Sequence, residues 1–149
     1  MLRLSKLTDY AIVVLARLGH AQCGGRVAAV PELALASGLA EPTVAKVLKI
    51  LAQSGLVEGL RGARGGYKLA RKLEDIPLSE VIQAFEGPIA LTACVDGGHG
   101  GCESEGCCPV RGRWDPVNRA IRDALAGVTV AQLANTPPAR QCAAPALTF

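Results

Sequence analysis

The sequence predicts a mainly α-helical fold with one small β-hairpin. Half of the 149 residues are hydrophobic but only 3% are aromatic, so the core must consist of Ala, Val, Leu and Ile, a mixture that favours helices. Apolar residues recur at helical spacing in several segments, and a glycine-rich stretch separates two short runs with β propensity. The length fits one domain, or one domain with an appendage.

The first predicted helix begins near Leu7. Its apolar residues follow the spacing of one helix face: Leu7, Tyr10, Ala11, Val14, Leu15 and Leu18. Asp9 and Arg17 interrupt this apolar stretch and no small-residue cleavage site follows, so we expect no signal peptide. No apolar run approaches the roughly 18 residues of a membrane span. We therefore expect a cytoplasmic protein without a membrane partner.

Two further helices follow in the basic half of the chain. A short one runs from Glu32 to Ser37 and stops at Gly38, and a longer one opens with Pro42 and ends at Gly55. The longer helix has a core face of Val44, Val47, Leu48 and Leu51 and an outward face of Pro42, Lys46, Lys49 and Gln53.

A β-hairpin is predicted next. Two β-prone segments, Leu56 to Leu60 and Tyr67 to Ala70, flank the loop Arg61-Gly62-Ala63-Arg64-Gly65-Gly66, which gives the hairpin a basic tip. Helix, short helix, turn, helix and hairpin is the element order of a winged helix-turn-helix. We assign this unit to residues 1–72.

Residues 73–134 are predicted to hold a loop of cysteines and a dimerisation helix. A short amphipathic helix is formed by Leu78, Val81, Ile82 and Phe85, and the cysteine loop extends from Gly87 to Gly112. Asp115 is expected to cap a helix whose first residue is Pro116. The apolar stripe of that helix favours dimerisation, with ordinary core packing as the alternative: Val117, Ala120, Ile121, Ala124 and Leu125. The proline-containing tail, residues 135–149, is expected to be disordered.

Charge is distributed unevenly along the chain. Residues 1–72 carry 11 Lys and Arg against 4 Asp and Glu, and residues 73–149 carry 5 against 9, for a net charge of +3. A basic half is typical of a domain that meets a polyanion such as double-stranded DNA. In a helix-turn-helix the second helix enters the major groove. Its candidate DNA contacts are Thr43, Lys46, Lys49 and Gln53, with Arg61 and Arg64 added by the hairpin tip.

Other functions are less well supported. The lysines of a single helix face can be simply solvated, and it is the adjacent basic hairpin that favours DNA binding. An enzyme is disfavoured because the two histidines have no evident nucleophile or base partner. The loop of residues 62–66 also lacks the Lys-Ser/Thr ending of a phosphate-binding loop.

Four of the six cysteines lie in the cysteine loop: Cys94, Cys102, Cys107 and Cys108. Grouped thiolates on a polar loop are typical ligands of iron–sulfur clusters, zinc or copper(I). Because zinc sites more often contain a Cys-x-x-Cys pair, which is missing here, an iron–sulfur cluster is preferred. Adjacent cysteines seldom ligate the same cluster, so one of Cys107 and Cys108 is expected to be a spare.

Four segments of the sequence resemble the Rrf-two family of bacterial transcription regulators. They are Leu4 to Ala11, the wing Arg61 to Leu69 with its Arg-Gly-x-x-Gly-Gly-Tyr motif, Leu78 to Ile82, and the cysteine loop. The resemblance covers about residues 1 to 134. Within this family, which includes the regulators IscR and NsrR, the opening and the cysteine spacing are most similar to regulators of the SUF iron–sulfur assembly operon.

The resemblance implies a homodimeric winged-helix repressor that binds a palindromic operator. It also implies a 2Fe–2S or 4Fe–4S cluster on Cys94, Cys102 and Cys108, which match the ligand positions of the family's cluster regulators. Asp9 matches a carboxylate ligand that the partner subunit supplies in some members, but it is equally explained as a helix N-terminal acid. The fourth ligand is therefore open among Asp9, His99, Cys107 and others.

The function implied is the sensing of cluster supply or of oxidative or nitrosative stress. Gain or loss of the cluster is expected to re-aim the DNA-binding halves through the dimer. The alternative is a thiol switch without metal, in which Cys107 or Cys108 forms a disulfide with Cys94 or Cys102.

Overall fold

The computed structural model describes residues 3–22, 26–95, 101–104 and 106–134. The mainly helical fold with a two-stranded hairpin is confirmed. In chain order, the described elements are α1 (Lys6–Gln22), α2 (Val30–Ser37), α3 (Glu41–Gln53), β1 (Val57–Leu60), β2 (Gly66–Leu69), a 3-10 turn (Leu73–Asp75), α4 (Leu78–Glu86), α5 (Asp115–Ala126) and α6 (Val130–Ala134). The predicted disordered tail, residues 135–149, and His99 lie outside the described residues.

The helix-turn-helix consists of α2 and α3. Helix α2 ends at Gly38, whose φ of 72° lies in the left-handed region that glycine tolerates and whose N–H donates to the carbonyl of Ala34 at 2.9 Å. The predicted core face of α3 is confirmed, since its four apolar side chains are fully buried: Val44, Val47, Leu48 and Leu51.

The wing is an antiparallel hairpin that is also attached to the segment before α2. Val57 pairs with Leu69 and Leu60 with Gly66, so Gly66 belongs to β2 and not to the loop where the sequence places it. Along the other edge of β2, Ala28 and Tyr67 exchange two backbone hydrogen bonds of 3.0 and 2.8 Å. The hairpin is therefore fixed to the helix-turn-helix by its backbone.

The core surrounds α1 and extends past residue 72. Ile76, Val81 and Val130 are completely buried in the same cluster as the apolar face of α1. Helix α6, which the sequence analysis does not predict, is attached to the start of α4. The N–H of Val130 donates to the Ile76 carbonyl at 2.9 Å, and the N–H of Leu78 donates to the Val128 carbonyl at 2.8 Å.

The start of α5 corrects one expectation. Asp115 does not cap this helix but is its first residue, and Trp114 occupies the N-cap position without a side-chain cap. Residues 109–114 form turns, Trp114 has a helical backbone conformation, and the N–H of Asn118 donates to the Trp114 carbonyl at 2.9 Å. The helix therefore begins at Asp115, one residue earlier than predicted.

Candidate DNA-binding surface and cysteine loop

The outward face of α3 is available to a ligand. Lys46, Lys49 and Gln53 are exposed, and Thr43, in the first turn, is half-buried. The opposite face is held in the core, so the helix can present this row of side chains without losing its packing. The arrangement is the one that a recognition helix requires.

The wing tip carries Arg61 and Arg64, and both side chains are exposed. The chain turns sharply between them because Gly62 has a φ of 110° and the N–H of Gly65 donates to its carbonyl at 2.9 Å. A Cβ atom at Gly65 would lie 2.4 Å from the Leu60 carbonyl oxygen, which explains why only glycine fits there. The tip is thus a narrow loop with two arginines.

Some basic residues of the domain form ion pairs and others do not. Three described cations form ion pairs: Arg26 with Glu32, Lys68 with Glu58, and Arg71 with Glu80. Within residues 3–22, 26–95, 101–104 and 106–134, no ion pair involves the predicted DNA contacts Lys46, Lys49, Arg61 and Arg64. The cations of α3 and the wing tip are therefore among the described ones without an ion pair, and they could bind a phosphate backbone.

The cysteine loop connects α4 to α5. Cys94, Cys102 and Cys108 are half-buried, Cys107 is exposed, and all four are free thiols. Cys94 is held by contacts on both sides: its Sγ lies 3.3 Å from Oγ1 of Thr92, and the residue after it, Val95, is buried. The described backbone forms turns at residues 103–104, 106–107 and 109–114, and the N–H of Cys107 donates to the Ser104 carbonyl at 3.1 Å.

The donor chemistry fits an iron–sulfur cluster, because three sheltered thiols without a disulfide are the ligands that such clusters use. The described residues do not, however, bring three Cys, His, Asp or Glu side chains together into a metal-binding group. Asp9 is exposed in the first turn of α1 and lines an open groove of about 910 Å³ together with Glu86 and Leu133. Within one chain it is not grouped with the cysteines.

Two polar contacts that have no signature in the sequence hold these elements. The Glu86 carboxylate at the end of α4 accepts hydrogen bonds from the Ser5 N–H at 2.8 Å and from the Thr8 hydroxyl. These hydrogen bonds, of which the one from Thr8 has the largest effect, hold the pKa of Glu86 below its ordinary value. The amide of Asn118 on α5 is buried against the cysteine loop. A lone Glu or Asn gives no local signal of such a distant partner.

Helix α5 buries little of its apolar stripe within the chain. Val117 is 45% exposed, Ala120 and Ala124 are exposed, and only Ile121 and Leu125 are half-buried. Trp114, just before the helix, is 42% exposed. Ordinary core packing, the alternative raised by the sequence, therefore does not account for the whole stripe.

Within the described residues, no helix has both the length and the apolar character to cross a membrane.

Comparison with known proteins identifies related chains. The Rrf2 (Rrf-two) family, described as iron-dependent transcriptional regulator, matches residues 4–136. The protein aau3 of Rhizobium meliloti strain 1021 is 31% identical over 137 residues, which are 92% of this chain and 88% of the relative.

Two solved structures have the same fold over most of both chains. CymR, the global cysteine regulator of B. subtilis, gives a TM-score of 0.69 at 27% identity and covers 90% of this chain and 97% of its own. T. potens IscR gives a TM-score of 0.65 at 26% identity, with 96% and 94% covered. The family match over nearly the whole described chain, together with this winged-helix fold, shows that the chain belongs to the Rrf2 family of transcriptional regulators and is not an enzyme.

Proposed function

We propose that this regulator is a homodimeric repressor that senses iron–sulfur cluster status, or oxidative or nitrosative stress, and controls iron–sulfur assembly genes. The observation that carries the proposal is the position of three half-buried free thiols, Cys94, Cys102 and Cys108, in one loop between α4 and α5. The similarity of this loop to those of the family's cluster regulators supports it.

The protein's own residues supply the ligands. Cys94, Cys102 and Cys108 would provide three thiolates, and Asp9 of a second copy, His99 or Cys107 are the candidates for the fourth position. A bound 2Fe–2S or 4Fe–4S cluster contributes one-electron redox chemistry and sensitivity to oxidants that thiols alone do not have. The loop leads directly into α5, so a change in the loop acts at the start of that helix.

Dimerisation and DNA binding complete the proposal. A second copy of α5 would cover the exposed apolar residues Val117, Ala120 and Ala124, and two-fold symmetry then places two α3 helices about 34 Å apart in successive major grooves. Such a dimer requires a palindromic operator. Lys46 and Lys49, with Arg61 and Arg64, would supply the phosphate and groove contacts.

Anaerobic purification of the wild type and of four single variants tests the cluster assignment. We expect a brown wild-type protein with visible absorption and loss of that absorption in Cys94→Ala, Cys102→Ala and Cys108→Ala, because each change removes a thiolate. Cys107→Ala is the matched control and should keep most of the absorption. Retention by the Cys108 variant with loss by the Cys107 variant would reverse the assignment between these two neighbours.

The same samples test whether the cluster controls DNA binding. We expect cluster-loaded and cluster-free dimers to differ in affinity for the operator near physiological salt but to converge on random DNA, whose binding depends mainly on the basic surface. The dimer fraction must be equal in both samples. If cluster-loaded and cluster-free dimers bind the operator with equal affinity, the cluster is a structural element and the sensing function is contradicted.

A thiol switch without metal is the second candidate. It is favoured by the exposure of Cys107 beside half-buried Cys108, and by the absence of an assembled group of three ligands among the described residues. A colourless anaerobic protein with four titratable loop thiols, and a disulfide from Cys107 or Cys108 to Cys94 or Cys102 after oxidation, would establish this candidate over the cluster.

A further inference from the structure

Helix α5 buries one polar side chain, Asn118, which is 2% exposed. A buried amide is stable only when its donor and acceptor are both hydrogen-bonded. Oδ1 of Asn118 accepts from the N–H of Leu91 at 3.0 Å, and Nδ2 donates to the carbonyl of Ile89 at 3.2 Å. The amide therefore binds the backbone of the cysteine loop 27 to 29 residues away in the sequence.

These hydrogen bonds lie close to a cysteine thiol. Thr92 follows the anchored Leu91 directly, and its Oγ1 lies 3.3 Å from Sγ of Cys94. The next residue, Val95, is buried with 5% exposure. The segment of residues 89–95 is thus held at its start by Asn118 and at its end by an apolar side chain, with Cys94 between the two.

We propose that Asn118 is a positioning residue that makes the Cys94 segment move together with α5. The Asn118 side chain bridges the helix and the loop with one donor and one acceptor, as the backbone of a neighbouring strand does. Displacement of the helix or of the loop therefore breaks both hydrogen bonds. This inference rests on the proposed function: through the Asn118 contact, a displacement of the loop caused by ligation or oxidation of Cys94 also displaces α5 and its exposed apolar face.

Asn118→Leu tests the contact in the full-length, metal-free protein. Leucine has the same branched shape and the same number of side-chain heavy atoms but cannot hydrogen-bond, so it leaves the Leu91 N–H and the Ile89 carbonyl without partners. We therefore expect hydrogen exchange at Leu91 to accelerate about tenfold or more. Alkylation of Cys94 at one fixed pH should also accelerate relative to Cys107 in the same sample. Asn118→Ala is a second variant, since it avoids any overpacking by leucine.

Gln132→Leu is the matched control. Its side-chain oxygen also accepts a backbone N–H bond, from Thr129 at 2.9 Å, but this bond is local to the start of α6. Exchange in α2 provides an internal reference for global unfolding. A purely global loss of stability would accelerate exchange in both regions, whereas the proposed role predicts a selective change in residues 89–95.

The outcomes separate this proposal from the proposed function. Unchanged exchange at Leu91 and unchanged alkylation of Cys94 in both variants overturn it, whether or not a cluster forms. Selective acceleration in the Asn118 variants, together with a wild type that is colourless after anaerobic purification, supports the positioning role and rejects the cluster. If a cluster forms, its visible spectrum and its lifetime in air should change in the Asn118 variants but not in Gln132→Leu, and an unchanged cluster would overturn the link to Cys94.

Discussion

Gly66 illustrates how single residues determine the wing. It lies where β2 meets the segment before α2, and a Cβ atom built on it would lie 2.6 Å from the Ala28 carbonyl oxygen. The neighbouring Tyr67 exchanges both backbone hydrogen bonds with Ala28 at this point. The second glycine of the Gly-Gly-Tyr motif is thus required by the close approach of two backbones.

Gly66→Ala is expected to lower the free energy of unfolding by about 1 to 3 kcal/mol, because the Ala28 carbonyl is backbone and can move only if its segment separates from β2. Chemical denaturation measures the change. Gly59→Ala on β1 is the control, since its Cβ would meet the Tyr67 ring at an ordinary 3.4 Å, and it should change stability by less than about 0.5 kcal/mol. Equal effects of the two substitutions would contradict the close-contact explanation.

Arg64→Ala is expected to weaken DNA binding and to reduce the slope of log affinity against log salt by about one unit, because one phosphate contact is lost. The measurement is a salt titration of binding to operator DNA. Lys68→Ala removes a cation from the same hairpin that is already paired with Glu58 at 3.0 Å, so it should have a smaller effect. An unchanged slope in Arg64→Ala would place this arginine away from the DNA.

At the scale of secondary-structure elements, Glu86 connects the end of α4 to the start of α1. Its carboxylate accepts from the Ser5 N–H and the Thr8 hydroxyl, and Thr8 is buried although Glu86 is exposed. A negative charge at a helix N-terminus is also favourable. The lowered pKa of Glu86 makes this connection dependent on pH.

Glu86→Gln is expected to reduce stability modestly at neutral pH, by less than about 1 kcal/mol since the site is solvent-screened. The pKa of Glu86 is lower in the folded protein than its ordinary value. The stabilisation of the folded state by the ionised carboxylate is therefore complete above the ordinary pKa of glutamate, and it is lost as the pH falls through the folded-state pKa. Unfolding free energies of wild type and variant should therefore converge in acid. A difference that stays constant down to acid pH would disprove the linkage.

At the scale of the whole molecule, the exposed face of α5 links the cysteine loop to the proposed dimer. Val117 and Trp114 remain accessible in one chain, whereas the helix's only buried side chain, Asn118, contacts the loop. An exposed row of apolar residues on a helix is a typical oligomer interface. The two faces of one helix would then serve sensing and assembly.

Val117→Glu is expected to shift the protein from dimer to monomer, because it places a charge in the centre of the apolar contact. Sedimentation equilibrium without DNA measures the shift. Leu35→Glu is the control, since Leu35 on α2 is 88% exposed and lies outside the proposed interface. If both variants remain dimers, α5 does not form the interface.

The periodic apolar pattern specifies most of the helices and their buried faces, as α1 and α3 show, because a helix places residues three and four apart on one side whatever surrounds it. The basic residues of α3 and the wing, and the four loop cysteines, are likewise apparent from residue type and spacing.

Contacts between distant residues were decided by the tertiary structure. The Ala28–Tyr67 bridge, the docking of the five-residue α6 on Ile76, and the attachment of Asn118 to Ile89 and Leu91 all join backbone groups that carry no sequence signature. Backbone N–H and carbonyl groups are the same in every residue except proline, so their partners follow from the packing of the whole chain. For the same reason, only the fold separates the buried side of α5 from the apolar face that it leaves exposed.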